Sequence, residues 1–240
     1  MGLRIDDRGQ LFLGHKQGVT VLDAKGTVVR TIPVEEPSAF FIDDRGVVVA
    51  ARRDALVAEG GQSMPIAVPP PAPTGKPRQV EEIPGAIGRS DGDWLVADRK
   101  GKAVIKVSSS GKYLGAFTSV NAERLAVNGF DDVAMIDRDS KGIVVVDRDG
   151  KPVTKIPPKG MGYEFGDPVD LAFDAIGHLY VLDRGRASIF VFGAKNRLLT
   201  TITFPERDPG SLQKAQALSI DAAGRLVVFD DRSQRLQVYQ

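Results

Sequence analysis

The chain has 240 residues, with 32 Lys and Arg against 31 Asp and Glu and a net charge of +1, so no global field draws it to nucleic acid or to a membrane surface. It has no cysteine, which excludes a disulfide frame and leaves nothing that reports a redox compartment. No apolar run approaches the ~20 residues of a membrane-spanning helix, and the opening MGLRIDD lacks the pattern of a signal peptide, which leaves the compartment open.

From the N-terminus onward one pattern recurs six times: an apolar stretch ending in Asp, a short turn, an apolar run, a polar loop, and another apolar run. The copies are LRIDDRGQLFLGHKQGVTVLD from Leu3, FFIDDRGVVVAARRDALVA from Phe40 and IGRSDGDWLVADRKGKAVIKV from Ile87. LAVNGFDDVAMIDRDSKGIVVVD from Leu125, LAFDAIGHLYVLDRGRASIFVF from Leu171 and LSIDAAGRLVVFDDRSQRLQVY from Leu218 follow. Read in this register the turn acids are Asp6, Asp43, Asp91, Asp131, Asp174 and Asp221, spaced by 37, 48, 40, 43 and 47 residues. A period near forty built from short strands is that of a four-stranded propeller blade. The expected fold is therefore all-β: a six-bladed β-propeller forming one domain over 1–240, with blades starting near 3, 39, 84, 122, 168 and 215.

The second-strand runs, at 11–13, 47–49, 94–96, 133–136, 179–182 and 226–229, are continuous rather than alternating. A half-exposed strand alternates, so these are expected to be covered on both faces, each packed between neighbouring blades. Asp-x-x-Gly turns at 6–9, 43–46, 174–177 and 221–224 join strands one and two. Asp23 to Gly26, Ser108 to Gly111 and Asp147 to Gly150 join strands three and four. In a meander both sets lie at one end of the ring, and tight hairpins there leave little room for a site. The opposite end carries the longer loops. The longest, the Pro-rich segment 65–84 between blades two and three, has six prolines before residue 78 and is expected to run extended without ladder bonds. Repeat six ends on its third strand, so the last blade is expected to have three strands and an open edge that invites pairing, or the chain to be part of a longer one.

The polar steps VADRKGKAVIKV, MIDRDSKGIVVV, VLDRGRASIFVF and VFDDRSQRLQVY, with Asp98, Asp137, Asp183 and Asp230, resemble the repeat of NHL six-bladed propellers. Blades one and two depart from it, with Gly14 and Ala50-Ala51 at that point. The resemblance covers the whole chain and implies the propeller fold. For function it implies several classes, because such propellers include protein- and RNA-binding modules and related propellers include metal-dependent lyases and lactonases.

Four aspartates recurring once per blade read as structural rather than catalytic, since a catalytic acid breaks the symmetry. His15 and His178 fall at opposite ends of the ring and cannot share a metal. The residues that begin the inner strands, Gly2, Ala39, Arg124, Asp170 and Ala217, form a mostly small ring with blade three unassigned. No calcium cage, catalytic set, metal or cofactor site emerges. Arg124 and Asp170, on adjacent blades, are expected to face each other at the channel mouth. The ordered charge feature is a basic strand two–three loop in every blade, placing Lys16, Arg53, Arg99, Arg138, Arg184 and Arg232 around one end with the turn acids at the other. The expectation is a non-catalytic interaction module that binds a protein or other anionic partner through this basic face. The alternatives are a metal-dependent lactonase- or lyase-like propeller and an RNA-binding NHL domain. RNA is the weaker reading, because base stacking needs exposed aromatics and these fall mainly in strands.

Overall fold

Six antiparallel meanders stand around a central channel, each presenting its first strand to the channel. The structure is a computed structural model that describes residues 2–70, 75–204 and 212–239. Blade one comprises Gly2–Ile5, Leu11–His15, Gly18–Leu22 and Val28–Pro33. Blade two comprises Ala39–Ile42, Val48–Ala51, Ala55–Ala58 and Ser63–Pro65. Blade three has Ala86–Gly88, Trp94–Asp98, Ala103–Val107 and Tyr113–Thr118. Blade four has Ala122–Val127, Val133–Asp137, Ile143–Val146 and Pro152–Ile156. Blade five is Pro168–Phe173, Leu179–Asp183, Ser188–Phe192 and Leu198–Thr203. Blade six is Ala215–Ile220, Leu226–Asp230 and Arg235–Tyr239.

The second strands are buried as their apolar runs require: Trp94–Asp98 and Leu226–Asp230 throughout, and Val133–Asp137 up to its final Asp. The fourth strands are the exposed outer edges, as in Val28–Pro33 and Leu198–Thr203. Blade six shows how composition sets this role. In blade five the third strand, SIFVF, is apolar and fully buried. In blade six the corresponding RLQVY alternates polar and apolar residues and is only half-buried, which suits an outermost strand. Tyr239 packs on Phe204 with ring centroids 5.1 Å apart, and burial pushes its phenol up to about 12.

The inner strands touch one another in order around the ring, and that of blade one meets that of blade six. The first strand of blade one stays in its own sheet, so among the described residues no strand is exchanged across this seam. Closure there rests on side-chain packing: Leu3 of blade one is buried with Ala217, Val227 and Phe229 of blade six. Leu3→Ala is expected to cost about 2–5 kcal/mol, the range for an emptied core leucine site. Urea unfolding checks this, and a loss below about 1 kcal/mol would mean the seam does not carry closure.

Three sequence expectations need correction. First, the strand one–two turn is defined by its backbone bond from position four to position one, and in blades three and four this places Arg89 and Asn128, not Asp91 and Asp131, at position one. Gly92 N–H donates to the Arg89 carbonyl at 3.2 Å and Asp131 N–H to that of Asn128 at 3.1 Å. Arg89 is buried instead of turn-capping. Its guanidinium lies 3.5 Å from Asp91, 3.9 Å from Asp131 and 5.6 Å from the Phe117 ring centroid. Asp131 also accepts from the Ser90 hydroxyl at 2.6 Å, tying blade three to blade four.

Second, the Pro-rich segment is not free of ladder bonds. Ala67–Val68 pairs antiparallel with Arg78–Gln79, and Ile66, Val80 and Ile83 are buried against Trp94 and Leu56 in the core between blades two and three. Apolar residues at its two ends outweigh the extended preference of its prolines; residues 71–74, with Pro71 and Pro73, lie outside the described residues. Third, the strand-two position of Asp98 is occupied in blades one and two by His15 and Arg52, because Leu3 pairs with Leu13 and Phe40 with Ala50. Gly14 is needed for a different reason. A Cβ there would sit 2.9 Å from the Phe40 ring of the next blade.

Candidate functional site

The strand two–three turns and the inter-blade connections meet at one end of the ring, and the strand-two aspartates join them. The Asp183 carboxylate accepts N–H bonds from Gly166 at 2.7 Å, Asp167 at 2.9 Å and Arg186 at 2.9 Å. Asp230 accepts from Lys214 N–H at 2.6 Å and from the N–H and hydroxyl of Ser233 at 2.8 and 3.0 Å. Asp137 accepts from the Ser140 hydroxyl at 2.6 Å, and Asp98 from Gly101 N–H at 3.0 Å and the Arg78 guanidinium. Asp183 and Asp230 thus bond the incoming inter-blade chain to the turn of the same blade.

Burial alone would raise the Asp230 carboxyl, but the N–H groups of Lys214 and Ser233 more than offset it and hold it below the usual range. A carboxyl lowered in the folded state stabilises fully above its unfolded value near 4 and loses that contribution as pH falls through the folded value. Stability is therefore expected to decline below about pH 4, and Asp230→Asn to flatten that decline. Chemical unfolding as a function of pH checks it; an unchanged acid slope in the variant would refute the assignment.

At this end the inner strands open with β-bulges in three consecutive blades. The ladder skips Glu123, Val169 and Gln216, between Ala122 and Arg124, Pro168 and Asp170, and Ala215 and Ala217. A bulge re-aims the extra residue, and all three line a cleft of about 220 Å³ with Arg99, Arg124 and Arg184. A second cleft, of about 340 Å³, is lined by Glu36, Arg53, Glu82, Pro84, Arg99 and Arg124. Arg99 and Arg124 are common to both.

The predicted basic residues separate into two groups. Arg99, Arg138 and Arg184 have carboxylate partners: Arg99 and Arg138 reach Glu123 at 3.3 and 3.6 Å, and Arg184 reaches Asp167 at 2.5 Å. Lys16, Arg53 and Arg232 are exposed and form no ion pair among the described residues, although Arg53 acts on the Glu81 carboxylate at longer range. The neutralising acids come from the bulged start of an inner strand, Glu123, and from an inter-blade connection, Asp167, which a charge count restricted to the strand two–three loops misses. Counting the inter-blade connections and the starts of the inner strands would have found them.

Arg124 and Asp170 do not pair. Arg124 Nη1 donates to the Pro84 carbonyl at 2.7 Å and the Glu123 carbonyl at 3.2 Å. Asp170 is buried and accepts from Leu218 N–H at 3.1 Å. Each is satisfied by the backbone of the blade on its far side, so the two groups turn away from each other. Gly85 takes the blade-three position of this ring: it stands one residue before Ala86, as Arg124 does before Leu125, and a Cβ there would lie 2.5 Å from Leu125. His15 bonds Thr20 and Gln17, and His178 bonds Asp174 at the other end. Among the described residues no group of three or more His, Cys, Asp or Glu is placed to hold a metal ion. None of their helices is long and apolar enough to cross a membrane.

A scan of protein-family models gives no match, and neither does a comparison with curated protein sequences. Solved structures do share the fold. The WD40 β-propeller domain of Doa1 superposes with a TM-score of 0.68 at 14% identity, over 100% of this chain and 78% of that one. A Bacteroides caccae protein of unknown function gives 0.67 at 14%, over 92% and 82%. Virginiamycin B lyase from Staphylococcus aureus gives 0.61 at 13%, over 99% and 83%. These similarities establish a β-propeller architecture that hosts both an enzyme and a WD40 domain.

Proposed function

We propose that the chain is a non-catalytic interaction module that binds an acidic segment of a partner protein at the loop-rich end of the ring. The observation that carries this reading is Arg124. It lies where the two clefts meet, beside Arg99, and its guanidinium is held by backbone carbonyls instead of a carboxylate, so its charge is not cancelled. Exposed Arg53 lines the same cleft. Aspartate or glutamate side chains offer the bidentate acceptor that a guanidinium favours. The likeness of the third-strand step to NHL repeats and the WD40 neighbour fit a binding role.

Fluorescence anisotropy with labelled poly-glutamate tests the proposal. Binding is expected at low salt and is expected to weaken steeply as ionic strength rises from about 0.01 to 0.15 M, where the Debye length falls from ~30 to ~8 Å. Binding that ignores salt, or no binding, overturns it. Single-stranded RNA in parallel separates the NHL-type RNA reading. The one strongly exposed aromatic among the described residues, Phe130, lies at the opposite end, so the basic clefts have no stacking platform. The similarity to virginiamycin B lyase favours a second reading, a metal-dependent lyase or lactonase. Bound metal in elemental analysis, or a melting temperature raised by calcium, would favour it. The edge strand of blade six is a further place for strand pairing with a partner.

A further inference from the structure

The tight-turn end has more room than its hairpins suggest. The channel there widens into a cup of about 240 Å³, formed by the second halves of all six inner strands. Leu125, Leu171 and Leu218 form its floor, Phe41, Ile87 and Ala172 are among its walls, and Val127 and Phe173 reach its mouth. In the turns that follow Val127 and Phe173, Phe130 and Ile176 are 79% and 78% exposed.

Two polar side chains interrupt this apolar lining, and the repeat places them together. Arg4 and Ser219 occupy the same register on adjacent inner strands, one residue after the Leu3–Leu13 and Leu218–Val228 pairs. Arg4 is half-buried, and its one side-chain bond among the described residues is from Nη1 to the carbonyl of its neighbour Leu3 at 2.7 Å. No carboxylate pairs with it among the described residues, although a guanidinium has five N–H donors to place. The Ser219 residue is 8% exposed, and its hydroxyl has no hydrogen-bond partner among the described residues.

The geometry points to a second binding site here, for a small amphiphilic monocarboxylate whose apolar body fills the cup and whose carboxylate meets Arg4 and Ser219. An apolar pocket with few convergent polar groups is the usual form of a small-ligand site, and this volume is below the ~300 Å³ of drug-sized pockets. The six connections between first and second strands around the mouth, turn plus the residue after it, carry ten carboxylates against four arginines. That field opposes polyanions such as phosphates, and it leaves a singly charged acid as the anion matched to one guanidinium. This site is separate from the clefts of the proposed partner-binding end.

Octanoate, octanol and octylamine are the probes, titrated against the full chain. The readout is built in: Trp94 is the single tryptophan, and its ring stands edge-on to the cup residue Phe41 with centroids 5.3 Å apart. Octanoate is expected to shift Trp94 emission saturably and to raise the melting temperature, with octanol and octylamine at least tenfold weaker. Arg4→Met is expected to weaken octanoate about tenfold while leaving octanol unchanged. Ala172→Leu, which fills the cup, is expected to remove both, with Ala126→Leu as the alternative should the first variant unfold. No saturable change with octanoate, equal affinity for octylamine, octanoate binding unaffected by Arg4→Met, or binding retained in a folded cup-filling variant would each overturn the assignment.

Discussion

Asp183→Ala is expected to lower the stability of the folded chain by about 3–5 kcal/mol, the size that follows when one buried carboxylate leaves several backbone donors without an acceptor. The side chain is fully buried and accepts from three N–H groups, those of Gly166, Asp167 and Arg186. Bonds to a charged acceptor contribute about 1.5–3 kcal/mol each. The total falls short of their sum because the donors are only part-buried and water reaches some of them. The two loops joined by Asp183 also loosen, and with them the Asp167 that pairs with Arg184. Urea unfolding measures the effect as a lower midpoint at unchanged slope, and the melting temperature falls by roughly 10 °C. Asp183→Asn keeps one oxygen acceptor but turns an NH₂ toward donors, so it recovers only part of the loss. A deficit under about 1 kcal/mol for the alanine variant would show that the aspartate is not the joint between turn and inter-blade chain.

If the proposed function holds, reversing Arg53 and Arg124 together to glutamate is expected to abolish poly-glutamate binding, and Arg124→Met alone is expected to weaken it about tenfold. The pair was chosen on geometry. Arg53 and Arg124 line one cleft, with Glu36 and Glu82, and neither forms an ion pair with a carboxylate among the described residues. Arg99 and Arg184 lie in the same region but already pair with Glu123 and Asp167. Changing them would release two carboxylates and confuse a lost partner contact with a new repulsion. Two reversals move the cleft by four charges, and the Coulomb term for one pair at 4 Å is about 4 kcal/mol near a protein surface. That is ample to remove a complex that depends on salt. A double variant that is folded by circular dichroism yet binds as the parent does would exclude these clefts as the binding site.

Much of this architecture is legible in the chain because a propeller blade is a local object. Its strands are neighbours in sequence, so most turn acids act within four positions, as Asp174 does when it accepts from Ile176 and His178 N–H at 3.0 and 2.8 Å. The recurrence of Asp98, Asp137, Asp183 and Asp230 marks the joint between loops before any coordinate is known. The departures came where one residue had to satisfy a neighbour in another blade. Arg89 is the clearest case. In the string IGRSDG the turn acid reads as Asp91, but the register of Ile87 opposite Leu95 places Arg89 at the first turn position.

The sequence by itself determined that there are six repeats, which strands are covered on both faces, and at which end each set of turns lies. All of these follow from apolar periodicity and turn chemistry, which act over a few residues. Only the tertiary structure decided how the charges of the loop-rich end compensate one another, why Arg124 and Asp170 turn away from each other, and where the channel stays open. Those outcomes depend on groups 15 to 48 residues apart or more, such as Arg99 with Glu123 and Asp170 with Leu218. Which of them meet is set by bulges, backbone acceptors and ring closure. None of these shows in the apolar period or the turn chemistry, because each depends on how neighbouring blades meet.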